Sequence, residues 1–267
     1  MKIKNFLKFV TPFFFISCFV NYSHAQQQSA EAIAKKLANP VSSLISVPFQ
    51  NNIVYGIGDN YGSQNILNIQ PVIPVSLSKK INLIFRYIQP IVTQYNVTGP
   101  NTNQSALGDA VASIFVSPSQ SKIVWAIGPV FGVPTATNKL TGTGKFSMGP
   151  TGIFLVQSSG WTYGFLAYQY WSVAGEGSRG NVTQGYLQPF LNYNWKSGAG
   201  IAVNAELTQN WKVKRTLTFI NPVITGVTKL GSQTISLGVG PRIPISAPDG
   251  LKGKFGFRAA ITLVFPK

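Results

Sequence analysis

The residues able to do chemistry in this chain are few. Six carboxylates, Glu31, Asp59, Asp109, Glu176, Glu206 and Asp249, are scattered along it, none within 27 residues of another. Sequence distance does not forbid two of them from pairing as a general acid and base, but nothing in their spacing points to it. The only cysteine, Cys18, and the only histidine, His24, both fall in the first 25 residues. Those residues read as a secretory signal peptide: Lys2, Lys4 and Lys8 precede an apolar run from Phe9 to Val20, and Ser23-His24-Ala25 supplies small residues at a cleavage site after Ala25. The run is short of the roughly 20 apolar residues that a spanning helix needs. Cleavage would remove both Cys18 and His24. The mature chain would then build no Ser-His-Asp or Cys-His nucleophile, no His or Cys metal site and no disulfide. The expectation is a protein that is not an enzyme and uses no cofactor or metal.

Composition points to an unusual solvent. Charged residues make up 10% of the chain, against about 25% in soluble domains. The full chain carries a net charge of +16. Without the three leader lysines, 19 basic residues face 6 acidic ones, a net of +13. A secreted chain does not meet nucleic acid, so lipopolysaccharide and phospholipid headgroups are the expected partners of Lys79, Lys80, Lys122, Lys139, Lys145, Arg179, Lys196, Lys212 and Lys214 in turns and loops.

The elements that must position any site are strands. Residues 26–40 are the exception. Ser29 offers an N-cap, Glu31 sits in the first turn, Lys35 and Lys36 lie near the far end and Pro40 is a stop, which predicts a short N-terminal periplasmic helix. From Leu44 onward the period is two. Phe255, Phe257, Ala259, Ile261, Leu263 and Phe265 share one face, and Lys254, Gly256, Arg258, Ala260 and Thr262 share the other. Gly185–Trp195 and Ala199–Trp211 alternate in the same way.

About twelve such runs occur, near 44–57, 65–77, 81–94, 107–118, 122–136, 145–158, 161–174, 182–195, 199–211, 213–229, 233–246 and 252–265. Tight turns at 78–80, 119–121, 158–160 and 196–198 alternate with longer loops at 95–106, 138–144 and 175–181. The fold predicted is an all-β, transmembrane antiparallel β-barrel of about twelve strands spanning 41–267, with a short helix before it. Trp125, Trp161, Tyr163, Tyr168, Tyr170, Trp171, Tyr193, Trp195 and Trp211 are expected in interfacial girdles. Prolines recur inside the strands in Gln-Pro and Gly-Pro pairs, which suggests bulges that bend the wall.

An arginine facing lipid at mid-bilayer costs about 2–4 kcal/mol. Arg86, Arg242 and Arg258 are therefore expected in the lumen, joined by Asp109 and Glu206. They would form either ion pairs that hold the wall or a solute-binding constriction with a slight positive bias. Three apparent motifs carry no such weight. Gly175–Gly180 has dinucleotide-loop spacing but precedes a strand, Gly142-Thr143-Gly144-Lys145 lacks the hydroxyl and leading glycine of a phosphate loop, and Gly253–Phe257 is explained by its alternation.

Several segments together resemble a known family: Leu37–Asn52, Asn65–Pro74, Leu107-Gly108-Asp109, Gly128–Thr137 and the closing Phe265-Pro266-Lys267. The chain is similar to the outer-membrane protein family named for the meta-pathway of phenol degradation, whose members are often labelled transporters or neuromedin U. The resemblance implies an outer-membrane barrel; for the chain as a whole the expectation is a monomer in the outer membrane of a Gram-negative cell, delivered by chaperones and the barrel-assembly machinery. It would act as a channel or transporter for small solutes, aromatic or hydrophobic ones among them. Two alternatives stay open: a closed barrel with a structural or surface-interaction role, and a soluble periplasmic β-protein that binds a ligand.

Overall fold

A computed structural model of the protein describes residues 29–119, 123–248 and 250–265. The signal peptide read at 1–25 lies outside the described residues, as do Lys122, Asp249 and the final Pro266-Lys267. The first element is helix α1 (Ala30–Leu37). Ser29 caps it, its hydroxyl oxygen accepting from the Ala32 N–H at 3.2 Å, and Glu31 and Lys35/Lys36 suit the two ends of the helix dipole.

Every later element is a strand: β1 (Ile45–Ile57), β2 (Gly62–Ile69), β3 (Val72–Ser76), β4 (Ile81–Tyr95), β5 (Asn103–Leu107), β6 (Ala110–Pro118), β7 (Ile123–Val133), β8 (Lys145–Ser158), β9 (Trp161–Gly175), β10 (Thr183–Asn194), β11 (Ala199–Asn210), β12 (Arg215–Leu230), β13 (Gln233–Ser246) and β14 (Phe255–Phe265). β2 and β3 lie end to end against β4, interrupted at Gln70-Pro71. On the other side of β4, β5 and β6 do the same, interrupted at Gly108-Asp109. The segments thus make twelve antiparallel staves, and β14 closes onto β1 from Ile45↔Phe265 to Tyr55↔Phe255. Closure leaves no sheet edge open. Residues 103–106, expected in a loop, extend the fourth stave as β5.

The period of two sorts side chains by medium. In β14, Phe257 and Ile261 are about half exposed, at 53% and 50%, while Arg258 between them is 3% exposed. Outward positions elsewhere carry Phe85, Ile127, Phe154, Phe165, Leu187, Ile224 and Val239, an apolar exterior that water would penalise and lipid accepts. Among the described residues no helix is long and apolar enough to cross a membrane. Trp125, Trp161, Tyr163, Tyr193 and Trp195 gather outside at the end with the short turns. Trp171 and Trp211 stand at the end with the longer loops. Tyr168 and Tyr170 depart from the expected girdle. They lie on the inward parity of β9 with Leu166, and Tyr170 is buried.

The proline expectation is corrected too. Register shifts occur at Tyr55/Ile57, Phe146/Ser147 and Thr218/Phe219, and only the last adjoins a proline, Pro244. The Gly-Pro pairs do something else. A Cβ on Gly128 would lie 1.8 Å from the Ile114 carbonyl oxygen, one on Gly149 1.9 Å from that of Gln169, and one on Gly240 1.9 Å from that of Pro222. The flanking register puts each of those carbonyls opposite the proline that follows the glycine. Denied an N–H to accept, the carbonyl swings over the side-chain-free residue beside it, and the wall creases without changing register.

The interior is unevenly filled. On the β3–β9 side, Val72, Ile84, Phe115, Ala126, Ile153, Leu155 and Leu166 form a packed apolar cluster, completed by Val41 from the segment after α1. The opposite wall, from β10 round to β1, carries amides and charges and leaves space.

Candidate functional site

That space is two cavities, one towards each end of the barrel. The inner one, at the turn end, has a volume of about 310 Å³ and is roofed by Leu37, Ala38 and Pro40 at the end of α1. α1 is held against this mouth by the Gln157 amide, which donates to the Lys35 carbonyl at 2.8 Å, and by Gly198, where an added Cβ would lie 2.6 Å from that of Ala30. The outer cavity, of about 320 Å³, is mainly apolar. Val54, Ile57, Ile66, Leu217 and Phe219 line its wall, and Pro248, Leu251 and Val97 reach over it from the loops.

Between the cavities lies a charged lattice. Glu206 on β11 accepts from Arg258 on β14 at 2.6 Å through one oxygen and from Arg242 on β13 at 2.7 Å through the other. Amides accept further hydrogen bonds from both guanidinium groups. The Arg258 Nε donates to the Asn52 Oδ1 at 2.7 Å, Arg242 to the Asn221 Oδ1 at 2.9 Å, and the Asn221 amide to the Asn204 Oδ1 at 2.9 Å. The Arg242 guanidinium also sits 3.7 Å over the Phe219 ring. Arg258 and Asn204 line the inner cavity, whereas Arg242 and Asn52 line the outer one, so the lattice is the septum between them. Alternation explains the assembly: Asn204 and Glu206 are two apart on β11, and each arginine occupies an inward position of its strand.

Arg86 also faces inward, from β4 into the inner cavity. Its single protein hydrogen bond among the described residues goes to the Gln70 Oε1 at 3.2 Å. Of the five residues expected in the lumen, Arg86, Glu206, Arg242 and Arg258 are there. Asp109 is not. It sits in the Gly108-Asp109 interruption at the loop end, where its carboxylate accepts from the Thr143 N–H at 2.5 Å, the Thr143 hydroxyl at 2.7 Å and the Ala136 N–H at 3.2 Å. Alternation tells which face a residue takes within a strand, and Asp109 lies between strands.

The two loop motifs set aside above turn out to be partners. Arg179 donates to the carbonyls of Lys139, Thr143 and Gly142. A phosphate cradle presents N–H groups; this loop presents oxygens to a cation.

Sequence reasoning missed the lumen tyrosines. Tyr186 stacks on Tyr168 with ring centroids 4.9 Å apart, and Tyr168 on Tyr170 at 5.4 Å. The Gln184 amide donates to the Tyr170 hydroxyl at 2.8 Å. Their even spacing on β9 was the available signal, overshadowed by their nearness to Trp171. Also missed were the amide partners Asn52, Asn204 and Asn221. Among the described residues no three His, Cys, Asp or Glu side chains are grouped as a metal site.

No known family profile matches the chain, and no curated protein matches it in sequence. The solved structures do. An outer membrane channel from Pseudomonas putida F1 superposes with a TM-score of 0.65, covering 85% of this chain and 96% of that one at 12% sequence identity. The chain shares the fold of that outer membrane channel. At this identity the likeness concerns the fold alone.

Proposed function

We propose that the protein is a monomeric outer-membrane channel for small solutes, with the turn end in the periplasm and the loop end outside the cell. The observation that carries this reading is the interior. A lipid-facing barrel needs no internal space, yet this one keeps two cavities separated by a single layer of side chains. Cavities of about 310 and 320 Å³ lie at the low end of the range for small-molecule sites, about 300–1,000 Å³. The apolar outer cavity suits compact hydrophobic or aromatic bodies, in keeping with the resemblance to the phenol meta-pathway group. On this orientation Lys79, Lys80 and Lys196 meet inner-leaflet phospholipid, and Lys139, Lys212 and Lys214 meet lipopolysaccharide.

Planar-bilayer recording on the refolded protein tests the channel. Discrete conductance steps are expected, with a preference for anions that weakens when Arg86 or Arg242 is changed to Glu. Silence in the bilayer together with no solute flux into vesicles would leave a closed structural barrel.

A further inference from the structure

The lumen charges do not balance. Among the described residues, the guanidinium groups of Arg86, Arg242 and Arg258 share one carboxylate in mid-barrel, and Glu206 is fully taken up by Arg242 and Arg258. Arg86 is left with one neutral partner, the Gln70 amide oxygen, through one of its terminal nitrogens. Its remaining N–H groups have no hydrogen-bond partner among the described residues. A half-buried cation so poorly compensated is costly to keep, and a guanidinium with an unused edge matches a carboxylate in a bidentate fork.

What surrounds Arg86 narrows the ligand further. The same cavity has a mixed lining: Val72, Phe190 and Val223 are apolar, Gln188, Asn192 and Ser236 are neutral and polar, and Arg258 is already paired with Glu206. One free charge calls for one anionic group. Phe190, Val72 and Val223 offer the body an apolar side to rest on, the amides and hydroxyls between them accept neutral polar groups, and the volume limits that body to about a ring.

We propose that the inner cavity is a binding site for small monocarboxylates whose compact body has an apolar side, the carboxylate held by Arg86 and the body against Phe190, Val72 and Val223. The site deepens the channel reading by naming the class of solute. It requires no covalent step: the ligand enters and leaves as the anion.

Isothermal titration of the full refolded chain in detergent tests the site with three probes: cyclohexanecarboxylate, its neutral amide and inorganic phosphate. Saturable one-to-one heat is expected for the carboxylate only. Arg86→Gln should weaken it at least tenfold, as loss of a charged hydrogen bond does, and Arg86→Lys, which keeps the charge without the fork, should fall between. Heat-modifiable gel mobility reports whether each variant is folded. Should Arg86→Gln fail to fold, Val223→Phe, which fills the cavity and leaves Arg86 in place, must abolish the heat instead. Equal binding of amide and carboxylate, equal binding of phosphate, or full affinity in a folded Arg86→Gln protein would each overturn the proposal. Titration needs no current. A protein that conducts without binding loses the ligand class but keeps the channel, and one that binds without conducting does the reverse.

Discussion

Among the described residues, Glu206 and Asp109 are the two carboxylates most engaged by the structure, and they are satisfied in opposite ways. Glu206, inside the barrel, is held by two guanidinium groups that themselves lean on asparagines. Asp109, among the loops, is held by two backbone N–H groups and a hydroxyl. Inside a closed wall the inward backbone is already committed to its ladder, so only side chains remain to neutralise a charge. In a loop the backbone N–H groups are free to do so. The first arrangement ties distant strands together. The second fixes a loop and leaves the wall alone.

Variants can break this contrast. The largest effect is expected from Glu206→Gln, which leaves Arg242 and Arg258 without their shared anion. Urea unfolding in lipid vesicles should show a loss of about 3–5 kcal/mol, and a loss below about 1 kcal/mol would mean that the septum is not dry enough to matter. Asp109→Asn should cost less, about 1–2 kcal/mol, and locally. Its sign would be several-fold faster protease cleavage within 138–144 with the unfolding midpoint of the barrel nearly unmoved. Replacing the whole lattice core, with Glu206→Leu, Arg242→Met and Arg258→Met together, should bring stability back to within about 1 kcal/mol of the original or above it, while anion preference in the bilayer weakens to what Arg86 alone sustains. The smallest effect belongs to Arg179→Ala: faster cleavage of the same loop and a stability change under about 0.5 kcal/mol.

The wall was the legible part of the sequence, because two media act on alternate residues and leave a period of two in Phe255–Phe265 and Ala199–Asn210. The same rule delivered Arg86, Glu206, Arg242 and Arg258 to the lumen. It was silent wherever the answer depended on height or on chain breaks. Asp109 sits where two half-staves meet, and no periodicity crosses that gap. Tyr168 and Tyr170 are amphipathic, equally suited to a headgroup belt and to a polar interior, so residue type could not decide between them. The filling of the lumen by Val41 depends on where the segment after α1 turns, which local pattern does not encode.

The creases at Gly128-Pro129, Gly149-Pro150 and Gly240-Pro241 bind two neighbouring positions into one unit of inheritance. A methyl group at the glycine would collide with the displaced carbonyl, and an N–H restored at the proline would call that carbonyl back to the ladder. Neither half is therefore free to drift alone. In other chains of this shape the pair should be found intact or lost together, and a lone survivor should mark a wall that runs straight at that height.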